Sequence, residues 1–78
     1  LGMKGTIVIF ESPFRVLKTL NDIYDYMGNR VVSVCKEITK IHERVFFGYV
    51  KDIIDIFNKE DKLKGEFVIL VSKEGYKI

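Results

Sequence analysis

A polar stretch with side chains that could bind a ligand follows directly on the apolar run TIVIF at residues 6–10. It reads ESPFR and contains Glu11, Ser12 and Arg15. The end of a strand is where α/β sheets bind ligands, and a helix that begins there attracts anions with its free N–H groups. The alternative is structural: Ser12 and Pro13 only start a helix, and Arg15 is solvated. These residues alone leave both interpretations open.

A second polar stretch follows the apolar run at residues 31–35 and contains Lys36, Glu37, Thr39 and Lys40. Thr39 could hydrogen-bond a cofactor or substrate, and Lys40 could meet a phosphate as a point charge. The alternative is a solvated connection in which Glu37 pairs with a lysine, an interaction worth little energy. We expect both polar stretches to lie at one side of the domain and to line a shared cleft.

The single cysteine and the single histidine do not predict a catalytic or metal-binding group. Cys35 lies in an apolar run, which favours a buried, inert thiol, and His42 lies in a polar segment, which favours simple exposure. Together they cannot supply a structural zinc site, so no metal is expected.

Three aromatic residues could stack on single-stranded RNA, although core packing is the stronger interpretation. Strand alternation puts Phe47 and Tyr49 on one face and Phe46 on the other.

The elements that must position these residues alternate between strands and helices. Apolar, β-branched runs predict strands at residues 6–10, 31–35, 44–48 and 66–71. Helices are predicted at about residues 13–27 and 50–59. The first strand is apolar throughout, which predicts burial on both faces. The order β-α-β-β-α-β predicts an α/β (α+β) fold, with a mixed sheet of four or more strands and helices packed on it.

Each predicted helix has one apolar face at three- and four-residue spacing. In the first helix this face contains Leu17, Leu20, Tyr24 and Met27. In the second helix it contains Val50, Ile53, Ile54 and Phe57. We expect both faces to pack on the sheet.

The composition limits the architecture and the partners of the chain. Its 78 residues, 47% hydrophobic and 31% charged, predict one globular domain. A formal net charge of +2 does not by itself indicate nucleic-acid binding. No apolar run approaches the roughly 20 residues of a membrane span, and no signal-peptide pattern opens the chain. A reducing, cytoplasmic compartment fits the lone cysteine.

Three segments, taken together, resemble the C-terminal half of the tetrapyrrole methylase superfamily. They are IFESPFRVLKTL at residues 9–20, VCKEITKIHERVFFG at 34–48 and KGEFVILV at 64–71. The pattern is most similar to that of the small-subunit ribosomal RNA (cytidine-2′-O-)-methyltransferases. The sequence departs from that pattern where Phe10 replaces Tyr, Phe14 replaces His or Tyr, Lys36 replaces Arg, and Tyr49 replaces a helix-capping Thr.

The resemblance implies an enzyme of two domains that binds S-adenosylmethionine in the cleft between them. Residues 1–78 would be its C-terminal domain, inactive without the N-terminal cofactor-binding domain. The cofactor contacts that the resemblance implies are Thr39, Gly65 and Glu66. The implied substrate or cleft residues are Glu11, Ser12, Arg15, Lys36, Glu37 and Lys40.

The implied reaction is methyl transfer to the 2′-oxygen of a cytidine in small-subunit ribosomal RNA. The implied partners are the RNA, the protein's own N-terminal methylase domain and a second copy in a homodimer. Two alternatives stay open: methylation of a ring carbon of a corrin or porphyrin, and a ferredoxin-like binding module without catalysis. The isolated domain is expected to self-associate through the apolar face that its missing half would cover.

Overall fold

Four strands and two helices make up the part of the chain that the computed structural model describes, which is residues 6–37, 43–60 and 64–78. The elements are β1 (Ile7–Glu11), α1 (Val16–Met27), β2 (Val31–Glu37), β3 (Glu43–Tyr49), α2 (Val50–Asn58) and β4 (Glu66–Val71). Their order confirms the predicted β-α-β-β-α-β topology. Within these ranges no helix has the length and apolar character that crossing a membrane requires.

The four strands form one sheet in the order β1-β4-β2-β3, and each neighbouring pair is antiparallel. The α/β (α+β) prediction is confirmed. The prediction differs from the structure in one detail. The sequence predicts a mixed sheet, whereas none of these three strand pairs is parallel. Since β1 and β2 are both antiparallel to β4, they run in the same direction with β4 between them. Their carboxyl ends therefore lie at the same end of the sheet.

Both helices pack on one face of the sheet and enclose the core there. The predicted apolar face of α2 is confirmed, since all four of its residues are buried. Phe57 occupies the centre of an aromatic group, with its ring 5.1 Å from that of Phe46 and 5.6 Å from that of Phe67. Val34 and Ile69, paired across β2 and β4, complete the floor beneath the helices.

The prediction for α1 was wrong at its start and partly wrong in its buried face. Residues 13–15 form a turn, and the helix begins at Val16. Its buried residues are Val16, Leu20 and Ile23, while Tyr24 and Met27 are 38% and 37% exposed. The apolar residues of α1 are spread over more than one side of the helix, so spacing alone did not decide which side meets the sheet.

The second face of the sheet has an apolar surface that neither described helix covers, and we call it the open face. It carries Val8, Phe10, Cys35, Val45, Phe47, Val68 and Leu70, as the strand registers show. The prediction that β1 is buried on both faces was therefore wrong, and Phe10 is 75% exposed. For the same reason Cys35 is half-buried rather than fully buried. Phe46 and Phe47 lie on opposite faces as predicted, but only Phe46 packs in the core.

The start of α2 is held by the loop between α1 and β2. Tyr49 precedes the helix in extended backbone and makes no side-chain capping bond. Instead, the Lys51 N–H donates to Asn29 Oδ1 at 3.0 Å, and the Val50 N–H donates to the Arg30 carbonyl at 2.8 Å. Asn29 therefore supplies, from a distant part of the chain, the acceptor that a capping residue normally provides.

Replacing Asn29 by alanine is expected to lower the free energy of unfolding by about 1 kcal/mol, the usual cost of a lost helix cap. The measurement is urea denaturation of the full-length protein followed by circular dichroism. Asn58→Ala is the matched control, because Asn58 is exposed at the other end of α2. Equal stability losses in the two variants would contradict the capping role of Asn29.

Candidate functional site

The two polar stretches singled out in the sequence meet at one end of the sheet, which we call the site end. Glu11 closes β1 opposite Phe67 of β4, and Lys36 of β2 lies opposite the same residue. Glu37 follows in the next row, opposite Glu66. The site end therefore brings together the ends of β1 and β2 and the beginning of β4, as expected for two stretches that follow strands of the same direction.

Glu11 is fixed in place by two partners on the segment that follows it. The Thr19 hydroxyl donates to Glu11 Oε2 at 2.5 Å, and Arg15 Nε lies 3.6 Å from Oε1. The Glu11 side chain is only 14% exposed, whereas that of Arg15 is 62% exposed. The carboxylate is thus pre-oriented by Thr19, while most of the guanidinium group remains available at the surface.

Thr19 is a member of this group that the sequence analysis did not identify. A signal was present, because Thr19 stands three residues after Val16 and four before Ile23. That spacing places it on the buried side of α1. A hydroxyl in such a stripe needs a hydrogen-bond acceptor, and the nearest strand ends in a carboxylate.

The backbone, rather than the Ser12 side chain, organises the turn that leads into α1. The Ser12 carbonyl accepts from the N–H groups of Arg15 and Val16 at 3.1 and 3.0 Å. Arg15 holds the N-cap position and makes no side-chain capping bond. The sequence interpretation of Ser12 as the cap was therefore wrong, and Ser12 is an exposed residue of the site end.

An open depression of about 300 Å³ lies at the site end. It brings together three of the predicted site residues, Glu11, Ser12 and Glu66, with Phe10, Pro13 and Phe67. Gly65 stands directly before Glu66 with a φ of 86°, a backbone conformation that favours glycine. Ligand pockets usually enclose about 300–1,000 Å³, so this depression lies at the lower limit of that range.

Lys36 lies at the site end but does not line the depression. It points to the helix-packed side of the sheet and is 8% exposed. Its cross-strand neighbour is Arg44, whose guanidinium carbon lies 4.9 Å from the centre of the Phe46 ring. Lys36 and Arg44 therefore concentrate positive charge on the side of the sheet opposite the open face.

Several predicted site residues have no described geometry. The backbone of Glu37 pairs in β2, and Thr39, Lys40 and His42 lie outside the described residues. In the ranges that are described, no group of three or more His, Cys, Asp or Glu residues could hold a metal ion. The geometry at the site end consequently rests on Glu11, Ser12, Arg15, Gly65 and Glu66.

The fold is that of a small α+β domain with an open depression at its strand ends. Comparison with curated proteins identifies longer proteins to which this domain is similar. The chain is similar to proteins named Ribosomal RNA small subunit methyltransferase I in many bacteria. No protein-family model matches the chain.

Three of these relatives show the extent of the similarity. The Hydrogenobaculum sp. (strain Y04AAS1) protein is 40% identical over 71 residues, which is 91% of this chain and 31% of the relative. The Thermotoga maritima protein is 44% identical over 68 residues, or 87% of this chain and 31% of the relative. The Halalkalibacterium halodurans protein is 37% identical over 75 residues, or 96% of this chain and 26% of the relative.

The resemblance predicted from the three sequence segments is therefore confirmed as homology to small-subunit ribosomal RNA methyltransferases. The chain spans only about a quarter to a third of the length of these relatives. Its similarity to each of them is thus a similarity to part of a longer protein.

Proposed function

We propose that this chain is the C-terminal domain of a methyltransferase that uses S-adenosylmethionine to methylate the 2′-oxygen of a cytidine in small-subunit ribosomal RNA. The observation that carries the proposal is the 34–44% identity, over most of this chain, to relatives named for methylation of that RNA subunit. The site end supports it, because three of the predicted site residues, Glu11, Ser12 and Glu66, line one open depression there.

The described residues fit one wall of a cofactor site. The depression combines carboxylates, which can accept hydrogen bonds from an amino group or lie near a cation, with an exposed aromatic ring at Phe10. Gly65 permits close approach of a ligand to the backbone. When bound, S-adenosylmethionine supplies an electrophilic methyl group on a sulfonium centre. In this assignment Gly65, Glu66 and Thr39 would contact the cofactor.

The chain's own residues would position the RNA and exclude water rather than react covalently. Glu11 is held by Thr19 and can orient a hydroxyl or amino group of the nucleotide. Arg15 is exposed beside it and can meet a phosphate oxygen. Ser12, Lys36, Glu37 and Lys40 complete the proposed substrate set. Such positioning supplies much of the rate enhancement when two reactants must be aligned.

The proposal includes the protein's partners and its compartment. The N-terminal methylase domain of the same polypeptide would form the second wall, and ribosomal RNA places the enzyme in the cytoplasm. A homodimer is part of the proposal on the strength of the resemblance alone. Light scattering of the full-length protein tests the dimer.

The test of the proposed function uses the full-length protein, S-adenosylmethionine and small-subunit RNA from cells that lack the gene. Mass spectrometry of the digested RNA is expected to show one new 2′-O-methylcytidine. Large-subunit RNA serves as the control substrate. RNA that stays unmodified, or that gains a methyl group on a base, would contradict the proposal.

Glu11→Gln in the full-length enzyme is expected to lower kcat/KM for methyl transfer by about ten- to a hundredfold. This corresponds to the loss of one hydrogen bond to a charged group, about 1.5–3 kcal/mol. Stability should change little, because the amide oxygen can still accept from Thr19. The readouts are kcat/KM and the free energy of unfolding.

Thr19→Val is the matched variant, because it removes the hydroxyl and leaves the Glu11 carboxylate in place. It is expected to cost about 1 kcal/mol of stability and to change kcat/KM by less than about threefold. If it lowers kcat/KM as much as Glu11→Gln does, Glu11 acts through the fold and not on the substrate.

A further inference from the structure

The open face is an exposed apolar surface that the proposed site uses only at its edge, at Phe10. Val45 and Phe47 of β3 are 60% and 58% exposed there, and Phe10 of β1 is 75% exposed. Side chains that alternate along an antiparallel strand usually present a polar face to water. Here the outward positions of all four strands are mainly apolar, so the face has the composition of a second buried layer.

Charge argues against RNA as the molecule that covers this face. The seven residues that define the open face carry no charge, and Glu66 lies in the row beyond them at the site end by strand register. Binding to a phosphate backbone requires lysine or arginine. Among the described residues, Lys36 and Arg44 belong to the opposite side of the sheet, and Lys73 lines only the cavity at one corner of the open face.

A cavity at one corner of the open face also lacks a covering group. It has a volume of about 260 Å³ and is lined largely by apolar side chains, among them Phe47, Leu70 and Tyr76. Ser72 is one of the lining residues, and its hydroxyl is buried within this chain without a hydrogen-bond partner among the described residues. The apolar lining of this corner continues the open face, and no residue of the two described helices contributes to it.

We propose that the open face is the surface on which the rest of the same polypeptide packs, and that this contact completes the candidate site. The inference rests on the proposed function, because it takes the chain to be part of a longer methyltransferase. The homologous relatives are about three times as long as the matched segment. Their remaining residues are covalently attached and so act at an effective concentration that a separate partner rarely reaches.

Phe10 connects the open face to the site. Its ring is exposed on the open face and also lines the depression that contains Glu11 and Glu66. A segment that covers Phe10 must therefore reach the edge of the depression. The packing surface and the second wall of the site would then be parts of one contact.

Cys35 is a natural reporter of this contact, because it lies on the open face and is the only cysteine of the chain. The experiment measures maleimide labelling of Cys35 in the full-length protein by peptide mass spectrometry, so that other cysteines do not interfere. The reference is the same protein unfolded in guanidinium chloride. Native protein is expected to label Cys35 at least about a hundredfold more slowly, at every protein concentration.

Two outcomes of the labelling would overturn the proposal. Labelling of native protein within about tenfold of the unfolded rate would show that the face stays open. Protection that disappears on dilution would show that a second copy covers it. Methyl transfer is measured on the same sample. A protected Cys35 in a protein that methylates no RNA would leave this contact standing and remove only the proposed function.

A pair of variants extends the test to the face itself. Phe47→Asp places a charge on the open face and is expected to raise the Cys35 labelling rate of the full-length protein by at least about tenfold. Tyr26→Asp is the control, because Tyr26 is an aromatic residue of α1 that is 86% exposed away from this face. Equal labelling in both variants would overturn the proposal.

Discussion

Replacing Phe57 by alanine is expected to lower the free energy of unfolding by about 3–5 kcal/mol, the usual cost of removing a buried phenylalanine. Phe57 is 2% exposed and lies between Phe46 and Phe67, whose rings it contacts in edge-on and tilted arrangements. The variant loses the burial of the ring and both aromatic contacts. Urea denaturation of the full-length protein measures the change.

Ile56→Ala is the control for this prediction. Ile56 is the preceding residue of the same helix, but it is 41% exposed. Its replacement is expected to change stability by less than about 1 kcal/mol. A loss below about 1 kcal/mol for Phe57→Ala would mean that α2 does not pack on the sheet as described.

The isolated 78-residue chain is expected to bind S-adenosylmethionine at least about a hundredfold more weakly than the full-length protein and to transfer no methyl group. The depression at the site end is open to solvent, and in the proposed function it forms only one wall of the cofactor site. A hundredfold loss of affinity corresponds to about 2.7 kcal/mol, which is less than the contacts of one side of a small ligand commonly contribute. Calorimetric titration of both proteins measures the difference.

Circular dichroism of the isolated chain is the necessary control, because an unfolded chain would also fail to bind. Addition of the separately expressed remainder of the protein should restore part of the affinity if the two pieces reassemble. Micromolar binding of the cofactor by the monomeric chain would show that the domain holds a complete cofactor site.

The sequence predicted the elements better than their arrangement. The buried face of α2 was predicted correctly because its apolar residues recur on one side only. In α1 the apolar residues are more widely spread, and the packed side is decided by the sheet. The antiparallel strand order could not be predicted, because the residues of a strand do not specify which strand will be its hydrogen-bonded neighbour.

The candidate site was predictable only for residues that come directly after a predicted strand in the sequence. Polar residues at the ends of β1 and β2 indicated a common site end, and the strand directions place them there. The Thr19 bond to Glu11 depends on how α1 is rotated over the sheet. The face of the sheet on which Lys36 lies depends on which residues of β2 face the helices. The sequence does not reveal this, because β2 has apolar residues on both faces.

The central position of β4 has a consequence for the synthesis of the protein. β4 is the last of the four strands in sequence, yet it joins β1 to β2. A nascent chain that has produced β1, β2 and β3 can form the β2–β3 hairpin, but β1 lacks its neighbour in the described sheet until β4 emerges. Domains acquire structure during elongation at about 5–20 residues per second. Pairing of β1 with its neighbour in the described sheet therefore waits until β4 has left the ribosome.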